Sequence, residues 1–157
     1  MEEEYYPMPA FAQLQVADLD RAAHWYAEAL EFRAIFTMPG PDGNPILIHL
    51  RRSRYQDLLL VRAARGPQAE RDAGAPAGAG VRLYFQFEGD WDAFDALAER
   101  ARRAGEGAVE GPIDTPWNTR EVRARDLDGY RVVFTKGPLD HRVGIDDIVE
   151  RGRASRA

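Results

Sequence analysis

The sequence predicts an α+β fold built from two βαβββ modules in tandem. Three observations predict it. A run that alternates between two faces and leads into a helical run occurs twice, at Phe11 and again at Val81. Each helical run is followed by three short segments suited to strands. The two strand–helix units also align with one another. Setting "QVADLDRAAHWYAEAL" against "QFEGDWDAFDALAERA" places Val16 opposite Phe87 and Asp18 opposite Asp90, with Gly89 as a single insertion.

The first module spans residues 1–63. In "AFAQLQV", Ala12, Leu14 and Val16 share one face, while Phe11, Gln13 and Gln15 share the other. Asp18 is placed to cap a helix in which Leu19, Ala22, Ala23, Tyr26, Ala29 and Leu30 recur at helical spacing. Residues 32–37 read as a strand, "PGPDGNP" as a turn, and residues 46–50 and 57–62 as two further strands.

Residues 64–80, rich in Ala, Gly and Pro, read as a linker. The second module spans residues 81–136. "VRLYFQF" alternates, Asp90 caps a helix lined by Phe94, Leu97 and Ala101, and Gly105 stops it. Strands follow at 109–113, 119–125 and 130–135, with Asp128-Gly129 in the last hairpin turn. Residues 137–157 form a tail. Ile145, Ile148 and Val149 could line a short helix there that packs on the domain or a partner subunit; the alternative is a frayed terminus.

Composition narrows the function. A chain of 157 residues buries roughly 68–70% of its unfolded surface, so no staples are needed. With no cysteine there is no disulfide, thiolate metal site or cysteine nucleophile. A net charge of −5 with interspersed signs argues against nucleic acid as the partner, although local basic patches remain open. No apolar run reaches the roughly 20 residues of a membrane span, and "MEEEYYPMPA" lacks the apolar core of a signal peptide, so a cytoplasmic protein is expected. No phosphate loop or nucleophile elbow is present, and no catalytic residue is assigned. Asp126 and Asp128 suit acid–base work by type, but turn formation explains them better.

Two stretches carry a family resemblance. "LQVADLDRAAHWYAEALEF" is similar to the V-x-D … F-Y-x-x-x-L-G-F signature of the vicinal oxygen chelate superfamily, with Trp25-Tyr26 as the aromatic pair and Glu31 in place of Gly. "PWNTREVRARDLDGYRVVF" resembles its W-G-x-R-x-x-x-x-R-D-P-D-G signature, with Asn118 for Gly and Leu127 for Pro. That superfamily holds glyoxalase I, extradiol dioxygenases, fosfomycin-resistance enzymes and bleomycin-resistance proteins. The resemblance implies an open, curled mixed sheet around a central cavity, with helices outside. In the family's metal enzymes, ligands sit on the first and last strand of each module.

By that resemblance the ligand positions fall on Phe11, on one of Leu58, Leu59 or Leu60, on Arg82 and on Val133. None supplies a donor. Arg82 opposes a cation: unit charges 4 Å apart at an effective dielectric near 20 interact by roughly 4 kcal/mol, about double that for a divalent ion. A displaced site using Gln13, Gln15, His49 and Glu121 is the alternative, and with it a metal-dependent lyase or dioxygenase.

The resemblance therefore points to the metal-free, drug-sequestering branch: a small-molecule-binding protein with no cofactor, typically a homodimer. Candidate ligand contacts are Phe11, Gln13, Gln15, His49, Arg82, Tyr84, Gln86, Trp117 and Val133. His49 faces either cavity or solvent, and Trp117 either stacks on a ligand or fills the rim. A sensory or accessory module without a small ligand is the remaining alternative.

Overall fold

The computed structural model describes residues 6–63 and 78–154. Strand β1 (Ala12–Val16) leads to helix α1 (Leu19–Leu30) and strands β2 (Arg33–Pro39), β3 (Pro45–Arg51) and β4 (Asp57–Arg62). The series repeats as β5 (Arg82–Gln86), α2 (Trp91–Ala104), β6 (Ala108–Asp114), β7 (Arg120–Arg125) and β8 (Arg131–Lys136). Helix α3 (Ile145–Ala154) follows. Most of the expected linker, residues 64–77, lies outside the described residues.

Each module folds its strands into one four-stranded sheet. The orders are β1-β4-β3-β2 and β5-β8-β7-β6, with the first and last strands of each module parallel and the remaining pairs antiparallel. Identical order in both sheets is what a duplication requires. The two sheets are not hydrogen-bonded to each other, so the arrangement stays open.

Local signals set the helix ends. Asp18 accepts a hydrogen bond from the Arg21 N–H at 3.0 Å, and Asp90 accepts one from the Ala93 N–H at 2.8 Å, each satisfying an otherwise unpaired amide of the first turn. Gly105 ends α2 at φ 65°. The buried stripe of α1 is Leu19, Ala22, Trp25, Tyr26, Ala29 and Leu30; Trp25 takes the place expected for Ala23 because the neighbouring module covers it. Its indole N–H donates to the Gly105 carbonyl at 3.0 Å. Gly107 makes room for the ring: a Cβ there would lie 2.6 Å from Trp25 Cζ2. Helices α1 and α2 pack on each other, and Leu14, Leu58, Phe94, Val122 and Phe134 belong to one continuous core.

The modules are locked by the β7–β8 turn. Asp126 is buried and accepts from three donors: the Tyr26 hydroxyl at 2.7 Å and the N–H groups of Asp128 and Tyr130 at 3.0 and 2.8 Å. Asp128 accepts from the Ala17 N–H at 2.8 Å. The Tyr130 hydroxyl both accepts from and donates to the Gln15 backbone at 3.1 Å. Two acids that shape a turn also tie it to the first module, Asp126 to α1 and Asp128 to the residue that follows β1. Arg52 adds a second tie. Its guanidinium bonds the Leu30 carbonyl and Glu31 at the end of α1 while stacking over Phe87 and Phe134.

Burial pushes the Asp126 carboxyl above its ordinary value and the Tyr26 phenol well above its own. Both groups hold their protons more tightly folded than unfolded. Their contributions are therefore complete below the unfolded values and are lost as pH rises through the folded ones. For Tyr26 that loss begins above about pH 10. Replacing Tyr26 with Phe leaves Asp126 one donor short and should cost about 1.5–3 kcal/mol at neutral pH. It should also flatten the fall in stability above pH 10. Urea unfolding of both proteins at pH 7 and 10.5 checks the two expectations; an unchanged alkaline slope would refute the second.

Candidate functional site

Period-two alternation gives each sheet one face against the helices and one free face. On the first sheet the free-face rows follow the strand register. Gln13 pairs with Leu59, which pairs with His49, which pairs with Phe36; Gln15, Val61, Leu47 and Met38 make the next row. Leu58 and Leu60 are buried on the opposite face, so of the three leucines only Leu59 lies with Gln13 and His49.

At the end of this face sits a satisfied charge cluster. Asp57 is 2% exposed and receives Arg51 through Nε at 3.0 Å and Nη2 at 2.8 Å. His49 Nε2 lies 2.7 Å from the second Asp57 oxygen. The Tyr6 ring covers the Arg51 guanidinium at 4.3 Å and meets Tyr55 edge-on. His49 is thereby held by Asp57, with 25% of its side chain exposed, and it lines neither the depression on the second sheet nor the cavity where β1 meets β5.

On the second sheet, one row runs Arg82, Arg131, Arg125 and Ala108, and the next runs Tyr84, Val133, Arg123 and Glu110. These residues, apart from Tyr84, line a depression of about 240 Å³ together with Ala124. Arg123 is paired with Glu121 at 2.8 Å. Glu121 is 1% exposed and also accepts from the Trp117 indole N–H at 3.3 Å. Trp117 itself is 48% exposed, so it does not fill the core, and it lines neither this depression nor the cavity at the start of β1.

A second cavity of about 380 Å³ lies where the start of β1 meets β5. Its lining includes Phe11, Tyr55, Asp57, Leu83, Tyr84 and Phe85. The expected contacts therefore separate. Phe11 and Tyr84 share the aromatic cavity, whereas Arg82 and Val133 share the depression. Gln13, Gln15 and Gln86 are exposed and line neither, although the Gln86 carbonyl accepts from Gln56 Nε2 at 2.5 Å.

Sequence reasoning missed Arg123, Arg125, Arg131 and Glu110. Three of these carried a readable signal. Arg131 stands two residues before Val133, and Arg123 and Arg125 stand two and four after Glu121, so period two alone puts them on that face. Tyr55 and Asp57 had no such signal, because a turn and a strand end bring them to the cavity.

The positions at which the resemblance places metal ligands offer a divalent ion no donor. Phe11, Leu59 and Val133 present hydrocarbon, and Arg82 presents a fixed positive charge. The displaced set is divided, with His49 held by Asp57 on one sheet and Glu121 held by Arg123 on the other. Among the described residues no three His, Asp or Glu side chains converge.

Residues 9–134 match the family model described as Glyoxalase/Bleomycin resistance protein/Dioxygenase superfamily. No curated protein sequence matches significantly. The fold is similar to that of TioX from Micromonospora sp. ML1, at 22% identity and a TM-score of 0.60, over 82% of this chain and 94% of that one. It is also similar to TnmS3, an antibiotic binding protein from Streptomyces sp. CB03234, at 24% identity and a TM-score of 0.59, over 85% and 98% of the two chains. A glyoxalase/bleomycin resistance protein from the same Streptomyces strain is 26% identical with a TM-score of 0.56, over 79% and 96%.

The Asp57 cluster yields a direct test of its structural role. Truncating Asp57 to Ala removes the buried carboxylate that accepts from Arg51 Nε and Nη2 and should cost about 3–5 kcal/mol. Chemical denaturation measures this, and a loss under 1 kcal/mol would show that Arg51 finds another anion.

Proposed function

The chain belongs to the Glyoxalase/Bleomycin resistance protein/Dioxygenase superfamily, and from that premise we propose that it is a metal-free protein that binds and sequesters an aromatic, planar small molecule. One observation carries the reading. The positions that hold metal ligands in the family's enzymes are Phe11, Leu59, Arg82 and Val133 here, and three of them line a space: Phe11 the aromatic cavity, Arg82 and Val133 the depression. Apolar flat surface with a few orienting polar groups is how small-molecule sites are built. TnmS3 is an antibiotic binding protein of the same fold, which makes an antibiotic one candidate ligand. No residue is assigned a catalytic role in this reading: binding is stoichiometric, and Phe11 and Tyr84 supply flat surface.

A homodimer completes the proposal. Phe36 and Met38 are exposed on the free face of the first sheet, in line with Leu47, Leu59 and Val61. A contiguous apolar face of that kind suits a second copy of the chain. Light scattering should give twice the chain mass. Met38→Glu should halve it without unfolding the monomer, and a wild-type monomer at micromolar concentration would end the dimer reading.

Thermal denaturation with a panel of planar aromatic compounds tests the ligand reading. A compound at 100 times its dissociation constant adds roughly 2.7 kcal/mol, or about 5–11 °C for a chain of this size. Zn²⁺, Mn²⁺, Fe²⁺ and Ni²⁺ should give no comparable rise. A metal-induced rise that disappears on replacing Gln13, His49 or Glu121 would instead establish the displaced metal site.

A further inference from the structure

The two modules share a backbone but treat one pair of positions in opposite ways. In the first sheet Arg51 registers with Asp57, and the two form a buried ion pair. The alignment that sets Val16 on Phe87 also sets Asp57 on Arg131 and Arg51 on Arg125, because Ala12 registers with Leu58 as Leu83 does with Val132. In the second sheet Arg125 therefore registers with Arg131, a like charge directly opposite. Arg82 registers with Arg131 from the other side. Three arginines thus stand in register on adjacent strands, and the strands lie about 5 Å apart.

Like charges opposite one another in a sheet are destabilising. Arg120 and Arg123, on the same strand β7, are each paired with acids. The side chains of Arg82, Arg125 and Arg131 form no ion pair or hydrogen bond with the described residues. The depression they line carries four guanidiniums against one carboxylate, Glu110. On a chain of net charge −5 this concentration is local, not a general basic character. Tyr84 stands on the same face, in register with Val133, is half exposed, and also lines the aromatic cavity. Strand β5 lines both spaces, with Arg82 in the depression and Leu83, Tyr84 and Phe85 in the cavity.

We propose that Arg82, Arg131 and Arg125 form an anion-binding subsite, and that the ligand is an aromatic compound carrying two or more negative groups such as carboxylates, sulfonates or phosphates. Its anionic groups take the planar N–H forks of the arginines, and its ring lies against Tyr84 toward Phe11. The inference rests on the small-molecule reading above and narrows it to a chemical class. A row of three arginines in one depression matches a small polyanion better than a nucleic-acid strand, whose phosphates need a longer track.

Isothermal titration of the full chain decides it, with naphthalene-1,5-disulfonate, naphthalene-1-sulfonate, 1-naphthalenemethanol and inorganic phosphate as probes. The disulfonate should bind at least about 10-fold more tightly than the neutral alcohol and more tightly than phosphate. Its affinity should fall with added salt. Arg125→Gln and Arg131→Gln should each weaken it by about 10- to 100-fold, the loss of one charge-assisted contact. Both variants should keep or raise the melting temperature of the unliganded protein, because each removes a like-charge opposition. A merely structural arginine would lower it.

Equal affinity for the neutral alcohol, or full disulfonate affinity in the double variant, would overturn the subsite while leaving small-molecule binding intact. Phosphate binding as tightly as the disulfonate would overturn the aromatic half. A single-stranded DNA 20-mer that binds more tightly than the disulfonate and loses affinity in the same variants would reassign the row to nucleic acid. Failure of every probe, together with every compound of the thermal panel, would remove both the subsite and the binding reading.

Discussion

A single buried carboxylate organises this molecule. Asp126 sits in a turn of the second module, yet its third hydrogen bond comes from Tyr26 on the helix of the first. A lone carboxylate out of water is costly, and three donors offset that cost only when both modules are in place. The turn therefore senses whether the halves are docked. Its neighbours extend the effect: Asp128 and Tyr130 satisfy backbone groups of Ala17 and Gln15 at the edge of β1. Arg125 and Arg131 flank the same turn and register with each other. The contact that joins the modules thus also fixes the two guanidiniums at the root of the cationic row.

Most of the architecture was legible because it rests on short-range signals. Asp18 and Asp90 mark helix starts by the same cap chemistry, and the alternation from Arg82 to Phe87 placed Leu83, Phe85 and Phe87 on the helix side. The pairing of the modules was hidden. Nothing within a few residues of Tyr26 shows that its hydroxyl will meet a group 100 positions away. The division of the candidate contacts between two spaces was hidden for the same reason, since Phe11 and Tyr84 are brought together by docking and not by local period.

The departures from the family signature make physical sense once the backbone is known. Glu31 and Asn118 stand where the signature carries Gly, and both adopt positive φ, 63° and 69°. A left-handed backbone costs a non-glycine residue roughly 1–2 kcal/mol, less for Asn. Each side chain returns something a glycine could not. Glu31 binds Arg52, which stacks over the aromatic core of the second module. Asn118 donates to the Asp140 carbonyl at 2.8 Å and accepts from its N–H at 3.0 Å, holding the segment that leads to α3. Helix α3 leaves Ile145 and Val149 of its apolar stripe uncovered by the described residues, with Ile145 79% exposed.

The duplication separates what the fold needs from what a site needs. Both modules keep the same strand order, the same caps and an apolar face toward α1 and α2, because packing tolerates little variation there. The free faces carry no such constraint, and they have diverged. The first sheet neutralises its arginine with Asp57 and leaves Phe36 and Met38 open; the second replaces that acid with Arg131 and surrounds it with more arginine. An apolar face gains from contact with protein, since burial removes its surface from water. A row of like charges gains only from an anion. One backbone, used twice, thus presents one apolar face and one cationic face, so that fold alone says little about function.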